Sequence, residues 1–401
     1  MPEPSVVSPE DRALHLKWLL ELTQIPTAAG REQRVITWIE KWVAQRPRLS
    51  LTRDAAGNLV VRQAGVSVGG ALGGGALTRP LYFTAHLDHP AFVVERVIAP
   101  MVVELSFRGG VMDEYFKDAG IVLWTHKDIP VRGRITGQQE YPGPFKRWLA
   151  ELDHVESIEL GDVAVWDLPP AEVSDGNVHT LACDDLAAAA AALAAMDVLV
   201  RTGAGPNVSL LFTRAEEIGF IGAIAAVREG TMPKTARVLA LENSRSFPDS
   251  PIGGGPIVRV GDRISVFSPT LTDAIAKRAE EVAGGPSSVT ASQKQSELPS
   301  WKWQRKLMAG GACEASVFFN AGYEATCVCL PLGNYHNMAD LAAVQAGTNT
   351  SPPRVGREYI GVKDFEGLVD LLVACGQKLP AAGGLNDRFD KLWEERKFVL
   401  D

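Results

Sequence analysis

The sequence predicts an α/β protein with a mostly parallel, mixed sheet flanked by helices and interrupted by a small β domain. Three observations predict it. Helix and strand patterns alternate over both ends of the chain, as a sheet with crossover helices requires. Between about residues 91 and 178 the alternation stops, and short β-rich runs separated by Gly, Pro and Asp turns take over. Potential metal-ligating side chains fall directly after several of the predicted strands, where the crevice of an open α/β sheet lies.

From Asp11 to about Arg46, apolar residues recur at helical spacing (Leu14, Trp18, Leu19, Leu22, then Val35, Ile36, Ile39, Val43). Pro26 and Gly30 divide this stretch into two helices. Residues 58–63 read as a strand, residues 65–75 as a glycine-dense flexible loop, and residues 81–85 as a buried strand that delivers His86 at its end. Within the insert, residues 92–97, 102–107, 121–124, 131–135 and 162–166 read as strands, and residues 144–152 carry the one helical pattern. Short strands at this spacing suggest a small barrel or a sandwich, taken here as an inserted β-barrel domain over 91–178. Alternation then resumes. Helix 186–200 is alanine-rich, followed by strand 208–213, helix 221–228, strand 237–241, helix 271–282, strand 325–330 and a closing helix at 365–375. The expected catalytic domain is therefore 1–90 together with 179–401.

A chain of 401 residues exceeds one ordinary small domain. Its apolar content of 46% and charged content of 22% are those of a globular protein. A net charge of -8 argues against nucleic acid or an anionic membrane as partner. No apolar run approaches the roughly 18 residues that span a bilayer, and the first residues lack the basic and apolar regions of a signal peptide. Five cysteines, an odd number without a C-x-x-C pair, fit a reducing setting in which they pack as small apolar residues. The expected location is the cytoplasm.

The chemistry concentrates at residues 211–219, Leu-Phe-Thr-Arg-Ala-Glu-Glu-Ile-Gly, where a β-favouring run ends in two adjacent carboxylates. Such neighbours repel each other unless a cation or proton lies between them. One, Glu217, can bind metal while the other, Glu216, moves a proton. His86, Asp184, Glu242 and His336 are further hard-metal ligands at or beyond strand ends. Asp184 precedes an alanine-rich helix, whose positive N-terminal end favours a carboxylate. Two histidines and three carboxylates suit zinc, cobalt or manganese. The set reads as a two-metal hydrolase.

Ala85-His86-Leu87-Asp88 resembles the A-H-x-D element of the co-catalytic metallo-aminopeptidases of the tetrahedral type, a family that includes glutamyl aminopeptidases and endoglucanase M-like proteins. Cys183-Asp184-Asp185-Leu186-Ala187 is similar to the family's D-D-x-x-G element, and Glu216-Glu217-Ile218-Gly219 with Gly222-Ala223 to its E-E-x-G…G-A element. The resemblance follows the chain in order and includes the β domain between the histidine and aspartate motifs. It implies a zinc-exopeptidase-like catalytic domain that cleaves peptide bonds, most readily as an aminopeptidase. Asp184 bridges two divalent ions, His86 and Glu242 complete one site, and Glu217 and His336 the other. Glu216 is the general base, Asp88 holds the His86 imidazole, and the Asp184–Asp185 peptide is cis. Homo-oligomers built through the inserted domain also follow from the resemblance alone.

Departures bear on the substrate. Glu242 stands where the aminopeptidases usually carry Asp, and Glu is commoner there in related carboxypeptidases and deacylases. His89 replaces an acidic residue, Ala188 a glycine, and Gly311-Ala312-Cys313-Glu314-Ala315 departs from a G-G-T-D-A segment near the substrate pocket. Extra sequence at 284–308 and 339–357 is expected to reshape the mouth. Two alternatives stay open: a carboxypeptidase, deacylase or amidohydrolase acting on a small metabolite, or a non-catalytic binding subunit. In isolation Glu216-Glu217 reads as a solvated helix start and Asp184-Asp185 as a helix cap. Gly65-Val66-Ser67-Val68-Gly69 matches a G-x-S-x-G nucleophile pattern, but more glycine follows it instead of a helix. His15, His126, His154 and His179 read as structural, and Trp301 and Trp303 carry no assignment.

Overall fold

The computed structural model describes residues 5–65, 79–287, 302–380 and 384–400. Most of the glycine-dense loop, including Ser67 and its G-x-S-x-G pattern, lies outside the described residues, as does Trp301. Helix α1 (Pro9–Leu22) begins with a capping box: Ser8 accepts the Asp11 N–H while the Asp11 carboxylate accepts the Ser8 N–H. Helix α2 (Gln33–Ala44) follows, then β1 (Leu49–Arg53), β2 (Leu59–Gln63) and β3 (Leu81–His86).

Strands β4 (Ala91–Ala99), β5 (Val102–Arg108), β6 (Gly120–Trp124), β7 (Pro130–Gln139), β8 (Arg147–Leu152) and β9 (Val163–Trp166) close into a barrel in the order β4-β5-β8-β7-β6-β9. The helical pattern expected over 144–152 is instead strand β8, which pairs with both β5 and β7. Barrel closure overrides local propensity there, because Trp148, Ala150 and Leu152 alternate inward. Phe116 stacks on Trp148 with ring centroids 4.1 Å apart and meets Phe107 edge-on. Burying such a ring contributes roughly 1.5–3 kcal/mol.

The chain leaves the barrel through β10 (Glu172–Ser174) and β11 (Asn177–Thr180) and enters α3 (Leu186–Thr202). Every residue of α3 from Leu186 to Val200 is buried. Its alanines let the helix axis lie close to the sheet. The remaining elements are β12 (Val208–Thr213), α4 (Ile221–Glu229), β13 (Arg237–Arg245), β14 (Ile257–Gly261), α5 (Pro269–Ala283), β15 (Gln304–Leu307), α6 (Glu314–Asn320), β16 (Glu324–Leu332), α7 (Leu341–Ala346), β17 (Glu358–Gly361), α8 (Val362–Gln377) and α9 (Gly384–Arg396).

The large sheet runs β1-β2-β12-β3-β13-β16-β14-β15. Its four central strands, β12, β3, β13 and β16, are mutually parallel, while β2 runs against both its neighbours and β14 runs against β16 but parallel to β15. The mostly parallel, helix-flanked mixed sheet and the closed barrel are the expected fold. A small sheet, β10-β11-β17, pairs the segment leaving the barrel with a late strand. All five cysteines are unpaired and buried. Among the described residues no helix is long and apolar enough to cross a membrane.

Candidate metal centre

The carboxyl ends of the central parallel strands open on one crevice. Strand β3, buried along its whole length, delivers His86 there. After β12 the backbone turns sharply: Ala215 has φ +53, Gly219 +114 and Phe220 +62. Asn58 pins this turn, accepting the Arg214 N–H at 3.1 Å and donating to the Gly222 carbonyl at 2.9 Å. Strand β13 carries Glu242, and His336, at φ +54, lies just beyond β16. Asp184 sits between β11 and α3, and its peptide bond to Asp185 is cis.

These side chains converge. Asp184 Oδ1 lies 3.4 Å from His86 Nε2, and its Oδ2 lies 3.6 Å from His336 Nε2. Glu217 Oε1 is 3.4 Å from His336 Nε2. Asp184, Glu217 and His336 bring ligand atoms within 4.8 Å of one another, as do His86, Asp184, Asp185 and Glu242, and His86 with Glu216 and Glu217. Every residue expected to hold metal is thus in the cluster.

Both imidazoles present Nε2 to it. His336 Nδ1 sits 2.7 Å from the Gly110 carbonyl and His86 Nδ1 3.1 Å from the Asp88 carbonyl. Donation from Nδ1–H to those oxygens leaves each Nε2 lone pair facing the carboxylates. Asp88 has a second set of partners beside the imidazole. Its carboxylate is 3.5 Å from His86 Nδ1 but accepts the backbone N–H groups of Glu216 and Glu217 at 2.9 and 3.0 Å.

Burial makes the electrostatics severe. Burial, followed by repulsion from Glu217, pushes the Glu216 carboxyl well above its ordinary value even though His86 opposes the shift. Burial, with Glu216 and Asp185 nearby, does the same to Glu242. Burial opposes ionisation of Asp184 too, yet contacts with His336 and His86 hold its carboxyl below the usual range. Asp184 Oδ1 and Glu217 Oε1 are buried without any hydrogen-bond partner. Two orphaned anionic oxygens facing two imidazole nitrogens are a donor set that a divalent cation would complete.

Other residues support the cluster, and two of them, Glu32 and Glu358, escaped the sequence reading. Glu358, buried on β17, accepts the N–H groups of Cys183 at 2.6 Å, Asp184 at 3.0 Å and His336 at 2.8 Å, so one carboxylate fixes two ligand-bearing segments. Asp185 accepts from the His86 N–H at 3.3 Å and from Asn243 Nδ2 at 2.7 Å. Glu32 accepts the Ala215 N–H and pairs with Arg214. His89 Nδ1 lies 2.5 Å from the Asp184 carbonyl and Nε2 2.9 Å from Asn337 Oδ1. Of these, Asp185 and His89 sit inside recognised motifs, while nothing local in the sequence marks Glu32 or Glu358.

The cluster opens into a cavity of about 230 Å³. Met338 and, from the extra segment after it, Leu341 and Gln345 line the cavity, as do Phe247, Met308 and Gly311. That segment is tied to the barrel by Tyr115, whose hydroxyl donates to the Ala339 carbonyl at 2.7 Å.

A family profile described as M42 glutamyl aminopeptidase matches residues 150–284, the stretch holding Asp184, Glu216, Glu217 and Glu242. No curated protein matches the chain. Solved structures match over almost its full length. The TET1 peptidase of Pyrococcus horikoshii, described as able to assemble into a tetrahedron or a large octahedral shell, superposes with a TM-score of 0.70 at 20% identity, covering 91% of this chain and 100% of that one. An aminopeptidase from the archaeon Desulfurococcus kamchatkensis gives 0.68 at 19% identity, covering 92% and 95%. A TET aminopeptidase from a marine-sediment Thaumarchaeota archaeon gives 0.70 at 18% identity, covering 92% and 97%. The family resemblance read from the motifs is borne out by the profile, and the fold by the superpositions.

Proposed function

We propose that this chain is a metal-dependent aminopeptidase in which Asp184 bridges two divalent ions, His86 and Glu242 complete one site, and Glu217 and His336 the other. The observation that carries this reading is Asp184 itself, whose two oxygens face two different imidazoles while one of them stays buried and unpartnered. The match to M42 glutamyl aminopeptidases and the aminopeptidases among the structural neighbours support it. Zinc is the metal proposed, on the strength of the mixed nitrogen and oxygen donor set.

Two ions held there would polarise a scissile carbonyl and acidify a water between them. The chain's own groups do the rest. Glu216 lies against the cluster, with Oε2 4.0 Å from His86 Nε2, and burial holds its proton affinity high. It takes the proton from the attacking water and returns it to the leaving nitrogen as the C–N bond breaks. Asp88 fixes the backbone on which Glu216 stands.

The inserted domain of this reading is 91–178 and the catalytic domain 1–90 with 179–401. Barrel closure within β4 to β9 supports that division, although β10 and β11 pair onward to β17. A homo-oligomer is proposed from the assembly described for the P. horikoshii neighbour, and a reducing, cytoplasmic setting from the five unpaired thiols.

The test is mass spectrometry of a mixed peptide pool, free and N-acetylated, incubated with zinc- or cobalt-loaded protein. Stepwise loss confined to free N-termini is the expected result. Loss from C-termini, or removal of acetyl groups, would overturn it.

A further inference from the structure

Beyond β16 the backbone turns back on itself, with Asn334 at φ +51, His336 at φ +54 and Asn337 at φ +63. Asn and His tolerate that left-handed region better than most residues. Tyr335 lies inside the turn and is held on both sides. His336 donates its backbone N–H to Glu358 at 2.8 Å, and Asn334 Nδ2 donates to the Arg357 carbonyl at 2.8 Å. The Met338 N–H closes the turn on the Tyr335 carbonyl at 3.2 Å. The Tyr335 ring stacks on the His336 imidazole, with centroids 3.7 Å apart and planes 23° from parallel. Backbone and ring are thus fixed relative to a residue of the metal cluster.

The hydroxyl has no such tie. Tyr335 lines the cavity, and among the described residues its hydroxyl is neither hydrogen-bonded nor sealed from solvent. The carboxylates that act on it are Asp184, Glu217, Glu216 and Glu242. It therefore sits among the groups proposed to bind metal and to move the proton. Other polar side chains on the cavity wall are engaged: Asn243 donates to Asp185, Ser244 accepts from Arg259, and Arg245 donates to Gln345. Tyr335 carries the uncommitted hydroxyl of this wall. A phenol keeps its proton at neutral pH and serves as a neutral donor.

We propose that Tyr335 is a catalytic residue whose hydroxyl donates a hydrogen bond to the scissile carbonyl oxygen as that oxygen gains charge. This rests on the aminopeptidase reading for the bond that is cut. Water adds to the carbonyl carbon, and the π pair moves onto the oxygen. The Tyr335 O–H holds that oxygen without giving up its proton. Glu216 takes one proton from the water and passes it to the nitrogen. The π pair then returns, the C–N bond breaks, and a carboxylic acid and an amine leave. A donor aimed at this oxygen gains strength as charge builds there, so it lowers the barrier more than it tightens substrate binding.

Tyr335→Phe keeps the stacked ring and removes only the hydroxyl. In zinc-loaded protein kcat should fall about 10²- to 10³-fold, the range for one donor to a developing oxyanion. KM should stay within about threefold of native, and zinc content should be unchanged. Binding gives a second reading that needs no turnover, measured in zinc-loaded Glu216→Gln protein with and without Tyr335→Phe. Aminophosphonates with leucine or glutamate side chains carry tetrahedral geometry and anionic oxygens, whereas leucinamide and glutamic acid 1-amide carry a planar carbonyl. Loss of the hydroxyl should weaken the phosphonates about tenfold or more and the amides less than about twofold. A folded Tyr335→Phe protein with kcat within about tenfold of native, or one that loses kcat only with its zinc, overturns the proposal. So does phosphonate binding that ignores the hydroxyl. If the native protein releases no N-terminal residue while phosphonate binding still depends on the hydroxyl, the aminopeptidase reading fails and the donor stands.

Discussion

The Asp88 carboxylate accepts the backbone N–H of Glu216 at 2.9 Å, and its other oxygen serves the next residue. A side chain expected to steer an imidazole, and 3.5 Å from it, thus also holds the pair of acidic residues by their main chain. His86 is steered by the carbonyl of the same residue. Asp88→Asn would put an amide donor against one of two backbone donors. Metal affinity is expected to fall about 10- to 100-fold, the usual range for a ligand-supporting partner, measured by competitive zinc titration.

Glu216→Gln removes the proton acceptor but none of the groups proposed to bridge or complete the metal sites. Turnover should fall about 10²- to 10⁴-fold, with two equivalents of zinc still retained by elemental analysis. Loss of one equivalent together with activity would make Glu216 a ligand rather than the base.

Metal content should invert the dependence of stability on pH. Burial pushes Glu314 and Glu358 up to about 7. His86 and His336 are held above the ordinary imidazole range by the carboxylates around them, despite burial. A group whose folded pKa is raised contributes fully below its unfolded value, and that contribution vanishes as pH climbs through the folded one. His15, pushed down to about 4 by burial, works in the opposite sense. Its contribution is complete above the ordinary imidazole value of 6.5. The metal-free protein should therefore lose Tm as pH rises above about 6.5, while the zinc-loaded protein gains it as protons cease to compete for the ligands. Calorimetry with and without a strong chelator checks both slopes.

Gly222 stands where the turn after β12 meets α4, and a Cβ there would lie 2.4 Å from both the N and the O of Arg214. Backbone on both sides leaves no side chain to give way. Gly222→Ala should cost about 1–3 kcal/mol of stability and displace Glu216 and Glu217, which share that turn. Chemical denaturation and kcat read the two effects separately.

How much of this was legible beforehand divides by the range of the interaction. His86, Asp184, Glu216, Glu217, Glu242 and His336 could be read because each follows a strand pattern or opens a helix, and local pattern fixes which end of the sheet it joins. Glu358 could not. Its partners Cys183 and His336 are joined to it only by the pairing of β11 with β17, and no local pattern announces that register. Strand β8 was misread because its composition suits a helix, and only two flanking strands make it β.

The hydrogen bond from Tyr115 to Ala339 joins the barrel to the segment lining part of the cavity. In the same β5–β6 connection, the Gly110 carbonyl lies against the His336 ring nitrogen. One connection of the barrel thus holds both the segment after His336 and the His336 ring itself. A displacement of that one connection would therefore reach the cavity wall and the aim of that imidazole together.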